Sequence, residues 1–286
     1  MKKSTLLHLR IPFSFFLLPV YLLALAVSES INTQNALLSF FVLHFLIYPA
    51  SNGYNSYFDK DEKSIGGLKN PPSVSIELYY VSLILDIIGL VIGWFISMEF
   101  TVMILIYGLI SKAYSHPSIR LKKLPITGWL AAGVFQGYFT FILSYIAIND
   151  LSVADTLQWN IQFPGILSTL LLLGSYPMTQ IYQHEEDAKR GDITISQKLG
   201  ILGTFHFASI SFLISSAGFF YFFCKEFSIM KGLIFLVAME PVLLYFSLWY
   251  LRVRKDKNAA DFESTMRLNF ISSLMLNGFF IYLAIS

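Results

Sequence analysis

Asn52-Gly53-Tyr54-Asn55-Ser56-Tyr57-Phe58-Asp59-Lys60-Asp61-Glu62-Lys63-Ser64-Ile65-Gly66-Gly67-Leu68-Lys69-Asn70-Pro71-Pro72 is the stretch on which the fold turns. It is polar and acidic, yet the segments on either side, 35–54 and 75–96, are dominated by apolar residues. A helix needs roughly 20 apolar residues to cross the ~30 Å hydrocarbon core of a bilayer. The stretch therefore reads as a loop between two membrane spans. Asn55 and Asp59 are four residues apart, so they share a face if the helix of the preceding span runs that far. An amide oxygen and a carboxylate then aim at one spot, with Asp61 and Glu62 just beyond. The Gly66-Gly67 and Pro71-Pro72 pairs impose irregular backbone before the next span.

Outward from this loop the same apolar pattern recurs, giving nine expected spans: 11–27, 35–54, 75–96, 100–114, 127–148, 163–182, 201–224, 230–251 and 268–285. The expected fold class is all-α, a polytopic nine-helix bundle forming one domain over 1–286. Composition agrees. Hydrophobic residues are 55% and charged residues 13% of the 286, about half the charge of a soluble domain. Cys224 is the only cysteine, which excludes an intrachain disulfide and a cysteine-cluster metal site. The first apolar stretch follows Lys2, Lys3 and Arg10 without a small-residue cleavage site, and it is expected to stay as a span. Nothing points to nucleic acid, and the sequence sets no oligomeric state.

Charge gives the bundle a direction. With nine spans, 18 of the 20 Lys and Arg residues fall on the N-terminal side and only Lys225 and Lys231 on the other. The positive-inside rule then places the N-terminus in the cytoplasm and the C-terminus outside. The protein is expected in the plasma (inner) membrane if the source is bacterial. Nearly all the unusual polar chemistry lies in the cytoplasmic loops, so the active face is expected there.

The loop after the sixth span repeats the acidic theme, with Gln183-His184-Glu185-Glu186-Asp187-Ala188-Lys189-Arg190-Gly191-Asp192. Gln183 and Asp187 again stand four apart. Oxygen-rich sites of this kind suit Mg²⁺, which takes carboxylates together with phosphate oxygens and water. The candidate metal ligands are Asn55, Asp59, Asp61, Glu62, Gln183, Glu185, Glu186 and Asp187. A third loop, Tyr114-Ser115-His116-Pro117-Ser118-Ile119-Arg120-Leu121-Lys122-Lys123, adds cations on the same face. Cations suit free phosphate oxygens, so Lys69, Arg120 and Lys122, with Asn55, are the candidate diphosphate-binding residues. The alternative for each loop is a solvated helix end. Coincidence on one face argues for a site.

These residues resemble the UbiA superfamily of intramembrane prenyltransferases along the full chain. The first family motif, Asn-Asp-x-x-Asp-x-x-x-Asp, corresponds to Asn55, Ser56, Asp59 and Lys63. The second, Asp-x-Glu-x-Asp followed by Gly and Thr, corresponds to Gln183, Glu185, Asp187, Gly191 and Thr194. Tyr114-Ser115-x-Pro117-x-x-Arg120-Leu121-Lys122 is similar to a segment of the branch containing chlorophyll synthase. The resemblance implies Mg²⁺-dependent transfer of a polyprenyl group from a polyprenyl diphosphate to a hydrophobic acceptor, aromatic or lipid-like, within the lipid bilayer. Asp59, Asp187, Tyr114 and Arg120 become the expected catalytic residues. Tyr138, Phe139, Tyr176 and Tyr182 are aromatics that either shield a carbocation through their π faces or fill helix interfaces.

His184 is either a base toward the acceptor or an interfacial side chain. His44 is expected to hydrogen-bond between helices. Asp86 and Glu240, deep in spans, either line a cavity or pair with neighbours. Two other functions fit the altered acidic motifs: a terpene cyclase on the same fold, and a non-catalytic carrier of isoprenoid lipids.

Overall fold

A computed structural model describes residues 1–286. No strand forms, and the one β-bridge joins Ile65 to Leu68 inside a loop. The principal helices are α1 (Lys3–Leu9), α2 (Leu18–Ala26), α3 (Thr33–Asp59), α4 (Ile76–Trp94), α5 (Met98–Ser115), α6 (Pro125–Asn149), α7 (Trp159–Ser175), α8 (His184–Arg190), α9 (Ile195–Glu226), α10 (Ile229–Lys255) and α11 (Phe262–Ile285).

Seven helical runs are long and apolar enough to cross a membrane: α3, α4, α6, α7 continued through α8, α9, α10 and α11. The segment Lys3–Phe16 and α2, bent by 40° against each other, make an eighth if counted together. The ninth span expected from the sequence rests on α5. Its 18 residues include Glu99 and Lys112, and it falls short of the standard the others meet. The outer faces explain why lipid is the solvent. Ile87, Val91, Leu213, Val237, Leu244 and Phe270 all point outward and are exposed. An apolar surface of that extent in water would drive aggregation.

Packing closes a ring around an interior space. α2 lies between α6 and α11, α6 packs on α7, α7 on α9, α9 on α10, and α10 on α11, while α3 carries α4 and α5 at one side. Two helices widen into π turns, over Val42–Ile47 in α3 and Phe135–Phe139 in α6. Pro49 accounts for the first, because proline has no N–H to donate and crowds the preceding turn. In the second, the Thr140 hydroxyl donates to the Phe135 carbonyl at 2.7 Å.

Gly137, at the centre of that second turn, lets α6 and α7 approach backbone to backbone. A Cβ built on it would stand 2.6 Å from Thr169 Cα and 2.7 Å from Thr169 N. Neither atom can move without moving α7. Gly137→Ala is therefore expected to destabilise the bundle by about 1–3 kcal/mol, read as a lower melting temperature in detergent. An unchanged melting temperature would show that the two helices are not locked there.

Candidate active site

Three loops meet at one end of the ring. α3 does continue to Asp59, and Lys60 ends it in the left-handed conformation (φ 52°). Asn55 and Asp59 thus lie on one helical face, and both line a cavity of about 260 Å³. After α7, Pro177 and two short 3-10 turns, Tyr176–Thr179 and Ile181–Gln183, replace the straight helix expected to 182. These turns bring Tyr176, Thr179, Gln180 and Gln183 onto the same cavity. Gly191 (φ 72°) then reverses the chain, a conformation open to a residue without Cβ, and the Asp192 N–H returns to the Asp187 carbonyl at 2.9 Å.

The result is an ion-pair network rather than a bare acidic cluster. Asp59, Asp187 and Asp192 are all buried. Lys122 pairs with Asp59, and Arg120 Nη2 lies 3.5 Å from the same carboxylate. Arg120 also grips Asp192 with two hydrogen bonds of 2.8 Å. This hydrogen bonding to Asp192 raises the Arg120 guanidinium above its ordinary pKa. Arg190 joins the two acidic loops. It pairs with Asp61 from one, with Asp187 at 2.9 Å and Glu186 at 3.4 Å from the other, and approaches Asp192 at 3.7 Å.

The expected site residues divide clearly. Asn55, Asp59, Asp61, Gln183, Asp187, Tyr114 and Lys122 line the cavity. Arg120 stands behind it, attached through Asp59 and Asp192. Glu186 is off the cavity wall and reaches the network only through Arg190. Glu62 is exposed. Glu185 points to solvent and pairs with Lys63, while Lys69 pairs with Glu263. All three are exposed, Glu185 on α8 and Glu62 and Lys69 on the loop after α3, which returns to the cavity only at Ile65 and Gly66.

The histidines and aromatics divide too. His184 bonds to Ser196 at 2.8 Å and does not line the cavity. Tyr138 and Phe139 are also off the wall, and Phe135 and Gln136 take their place. Tyr176 and Tyr182 do face in, and the Tyr114 and Tyr176 hydroxyls hydrogen-bond each other. Asp86 pairs with Lys112, and Glu240 is exposed. His44 stacks on Phe40, with ring centres 4.7 Å apart.

Arg190 and Asp192 gained no role from the sequence, although Arg190 lies three residues after Asp187 on one helical turn, which is legible spacing. Arg10, Asn52 and Gln136 also line the cavity and had no sequence signal.

Behind the charged mouth lies a second cavity of about 210 Å³, lined mostly by apolar side chains such as Leu23, Leu172, Phe219, Met239 and Phe280. Phe13, Ser51, Asn52, Tyr107, Gln136, Tyr176 and Thr179 line both cavities. Charge and hydrocarbon therefore meet across a short neutral polar band. No three acidic or histidine side chains converge as a ready metal cage. The oxygen donors Asp59, Asp61, Asp187, Asn55 and Gln183 nonetheless suit Mg²⁺ chemically, if the carboxylates exchange their Lys122 and Arg190 contacts for the ion.

Residues 15–274 match the model of the UbiA prenyltransferase family. A UbiA homolog from Aeropyrum pernix K1 superposes with a TM-score of 0.70 at 18% identity, covering 95% of this chain and 98% of that one. A UbiA homolog from Archaeoglobus fulgidus bound to GPP and Mg²⁺ gives 0.67 at 16%, covering 99% and 100%. A structure concerning digeranylgeranylglyceryl phosphate synthase in membranes gives 0.63 at 22%, covering 99% of each chain. No curated protein sequence matches.

Proposed function

The chain belongs to the UbiA prenyltransferase family, and from that premise we propose that it transfers a polyprenyl group from its diphosphate to a hydrophobic, membrane-accessible acceptor with Mg²⁺. The observation that carries this reading is the continuity of the two cavities. A polyprenyl diphosphate has one highly charged end and one hydrocarbon end, and the seven shared lining residues join a charged chamber to an apolar one in the same way. The Archaeoglobus structure with this fold holds GPP together with Mg²⁺.

In this reading Lys122 and Arg190 donate to the diphosphate oxygens as the allylic C–O bond ionises, holding charge where it develops. Arg120, gripping Asp192 and close to Asp59, keeps Lys122 and the first acidic helix in register. Mg²⁺, when bound, supplies further neutralisation of the leaving diphosphate, and Asp59, Asp61 and Asp187, with Asn55 and Gln183, are the residues that would hold it. Tyr114 and Tyr176 present their rings beside the neutral band, suited to shielding a carbocation. The apolar chamber excludes water from that cation. The charge asymmetry of the loops supports a cytoplasmic position for this mouth.

Incubating the purified protein with geranyl, farnesyl and geranylgeranyl diphosphates, with and without acceptors, tests the reading by mass spectrometry of the products. A prenylated product that requires an acceptor is expected. A cyclised hydrocarbon formed without acceptor would establish the cyclase instead.

A further inference from the structure

The turn between α10 and α11 carries five bases, Arg252, Arg254, Lys255, Lys257 and Arg267. All are exposed, and none forms an ion pair. The acids among them are engaged elsewhere. Asp256 and Asp261 cap helical turns by accepting from the N–H groups of Asn258 at 3.0 Å and Ser264 at 2.7 Å, and Glu263 pairs with Lys69. The turn stands at the same end of the bundle as the charged cavity, since the Phe262 ring centre lies 5.3 Å from that of Tyr182 on the cavity wall. None of the five bases lines either cavity.

Bases at a helix end follow from membrane topology alone, so their number assigns no site. Arg254 differs from the rest in its surroundings. Its guanidinium carbon lies 5.9 Å from the centre of the Tyr250 ring, one helical turn earlier on α10. From α9, His206 Nε2 meets the Tyr250 hydroxyl at 2.7 Å. The buried Phe205 backs the same ring at 5.7 Å and fixes the tyrosine between the two helices.

This trio keeps donors free on its outer side. If His206 Nε2 accepts from the Tyr250 hydroxyl, the Nδ1–H is free; if Nε2 donates, the hydroxyl proton is free. Arg254 adds a guanidinium of five N–H donors whose only partner is the Tyr250 ring face. Deeper in the membrane the same faces turn apolar. Ile210 and Leu213 follow His206 by one and two turns on α9, Leu243 precedes Tyr250 by two turns on α10, and all three are exposed. At 1.5 Å per residue they lie about 6–10 Å below the polar group. A cation and a tyrosine at headgroup level above exposed hydrocarbon complement an anionic lipid in both charge and depth.

We propose that the outer face of the α9–α10 pair binds one anionic phospholipid, with its phosphate on Arg254 and the His206–Tyr250 pair and its acyl chains along Ile210, Leu213 and Leu243. The site is separate from the two cavities and does not depend on the prenyl-transfer reading.

The test uses the full chain in detergent, with phosphatidylglycerol and phosphatidylcholine of identical acyl chains and glycerol 3-phosphate as probes. Dissociation constants are measured for the wild type, Arg254→Gln, Arg254→Lys and Arg252→Gln. Phosphatidylglycerol is expected to bind the wild type about tenfold more tightly than phosphatidylcholine, and to weaken about tenfold in Arg254→Gln, the order expected for a lost charged hydrogen bond. Arg254→Lys, which keeps the charge but loses the planar fork, should fall between. Arg252→Gln removes the same charge from the same turn but away from Tyr250, and should change the affinity by less than about twofold.

Equal weakening in Arg252→Gln and Arg254→Gln would reduce the effect to general surface charge and overturn the proposal. So would equal affinity of the wild type for the two lipids, or phosphatidylglycerol binding that Arg254→Gln leaves intact. Glycerol 3-phosphate bound as tightly as phosphatidylglycerol would show a soluble phosphate ester, not a lipid, to be the ligand. If Arg254→Gln melts lower than wild type, Arg254→Lys carries the comparison.

Discussion

Lys122→Ala should slow release of diphosphate by roughly 10²–10³-fold, the loss seen when one preorganised charge-stabilising donor is removed from an enclosed site. Lys122 sits in the 3-10 turn Leu121–Lys123, directly over the start of α6, where a Cβ on Gly128 would lie 2.8 Å from Lys122 Cα. The turn is therefore pinned, and the ammonium is delivered into the cavity against Asp59. Its removal has two effects. The diphosphate loses a cation, and buried Asp59 keeps only Arg120 at 3.5 Å. Lys122→Arg restores the charge and separates the two, since it should recover folding fully and turnover in part. Single-turnover release from geranyl diphosphate is the readout. A loss smaller than about threefold would remove Lys122 from the chemistry.

Lys112→Ala carries the largest expected effect on stability, about 3–5 kcal/mol, because it strands a carboxylate inside the membrane. Lys112, in the last turn of α5, pairs with Asp86 in the middle of α4, and both side chains are mostly shielded. The ammonium also lies 5.4 Å from the Tyr54 ring centre on α3, so one side chain ties three helices. Neither Lys112 nor Asp86 lines either cavity. Activity per folded molecule should then be unchanged, while the melting temperature in detergent falls steeply. Replacing both partners at once, as Asp86→Leu with Lys112→Met, should restore most of the loss, since an apolar pair of similar volume is often neutral. A double variant as unstable as Lys112→Ala would show that the pair does not act as a unit.

Much of the site was legible because it depends on local spacing. Asn55 with Asp59, and Gln183 with Asp187, lie close in sequence, and their own helical turns bring them to one wall. The basic loop was legible through its charges and the helix-ending Pro117. What escaped notice depends on long-range closure. Arg10 reaches the cavity only because the N-terminal helix folds against the Gly66 loop, 56 residues away. Tyr138 and Phe139 gave way to Phe135 and Gln136 on the cavity wall where α6 loosens into a π turn, and regular helical periodicity carries no sign of such a turn.

Glu62, Lys69 and Glu185 show the opposite error. Their charge type suited the chemistry, but all three side chains face solvent, Glu62 and Lys69 from the loop after α3 and Glu185 from α8, and exposed partners Glu263 and Lys63 take two of them. The span count is weakest at α5, where Lys112 of the Asp86–Lys112 pair and Glu99 in the first turn dilute its hydropathy.

The central claim is that the paired acidic loops, with Mg²⁺, ionise a prenyl diphosphate. Its most direct measurement is diphosphate release from geranyl, farnesyl and geranylgeranyl diphosphates by purified wild type, Asp59→Asn and Asp187→Asn, each with Mg²⁺ and with chelator. Release by the wild type that needs Mg²⁺, and that both variants lose, is the expected result. Release that is indifferent to Mg²⁺ and to both substitutions, or absent for every chain length, would contradict it.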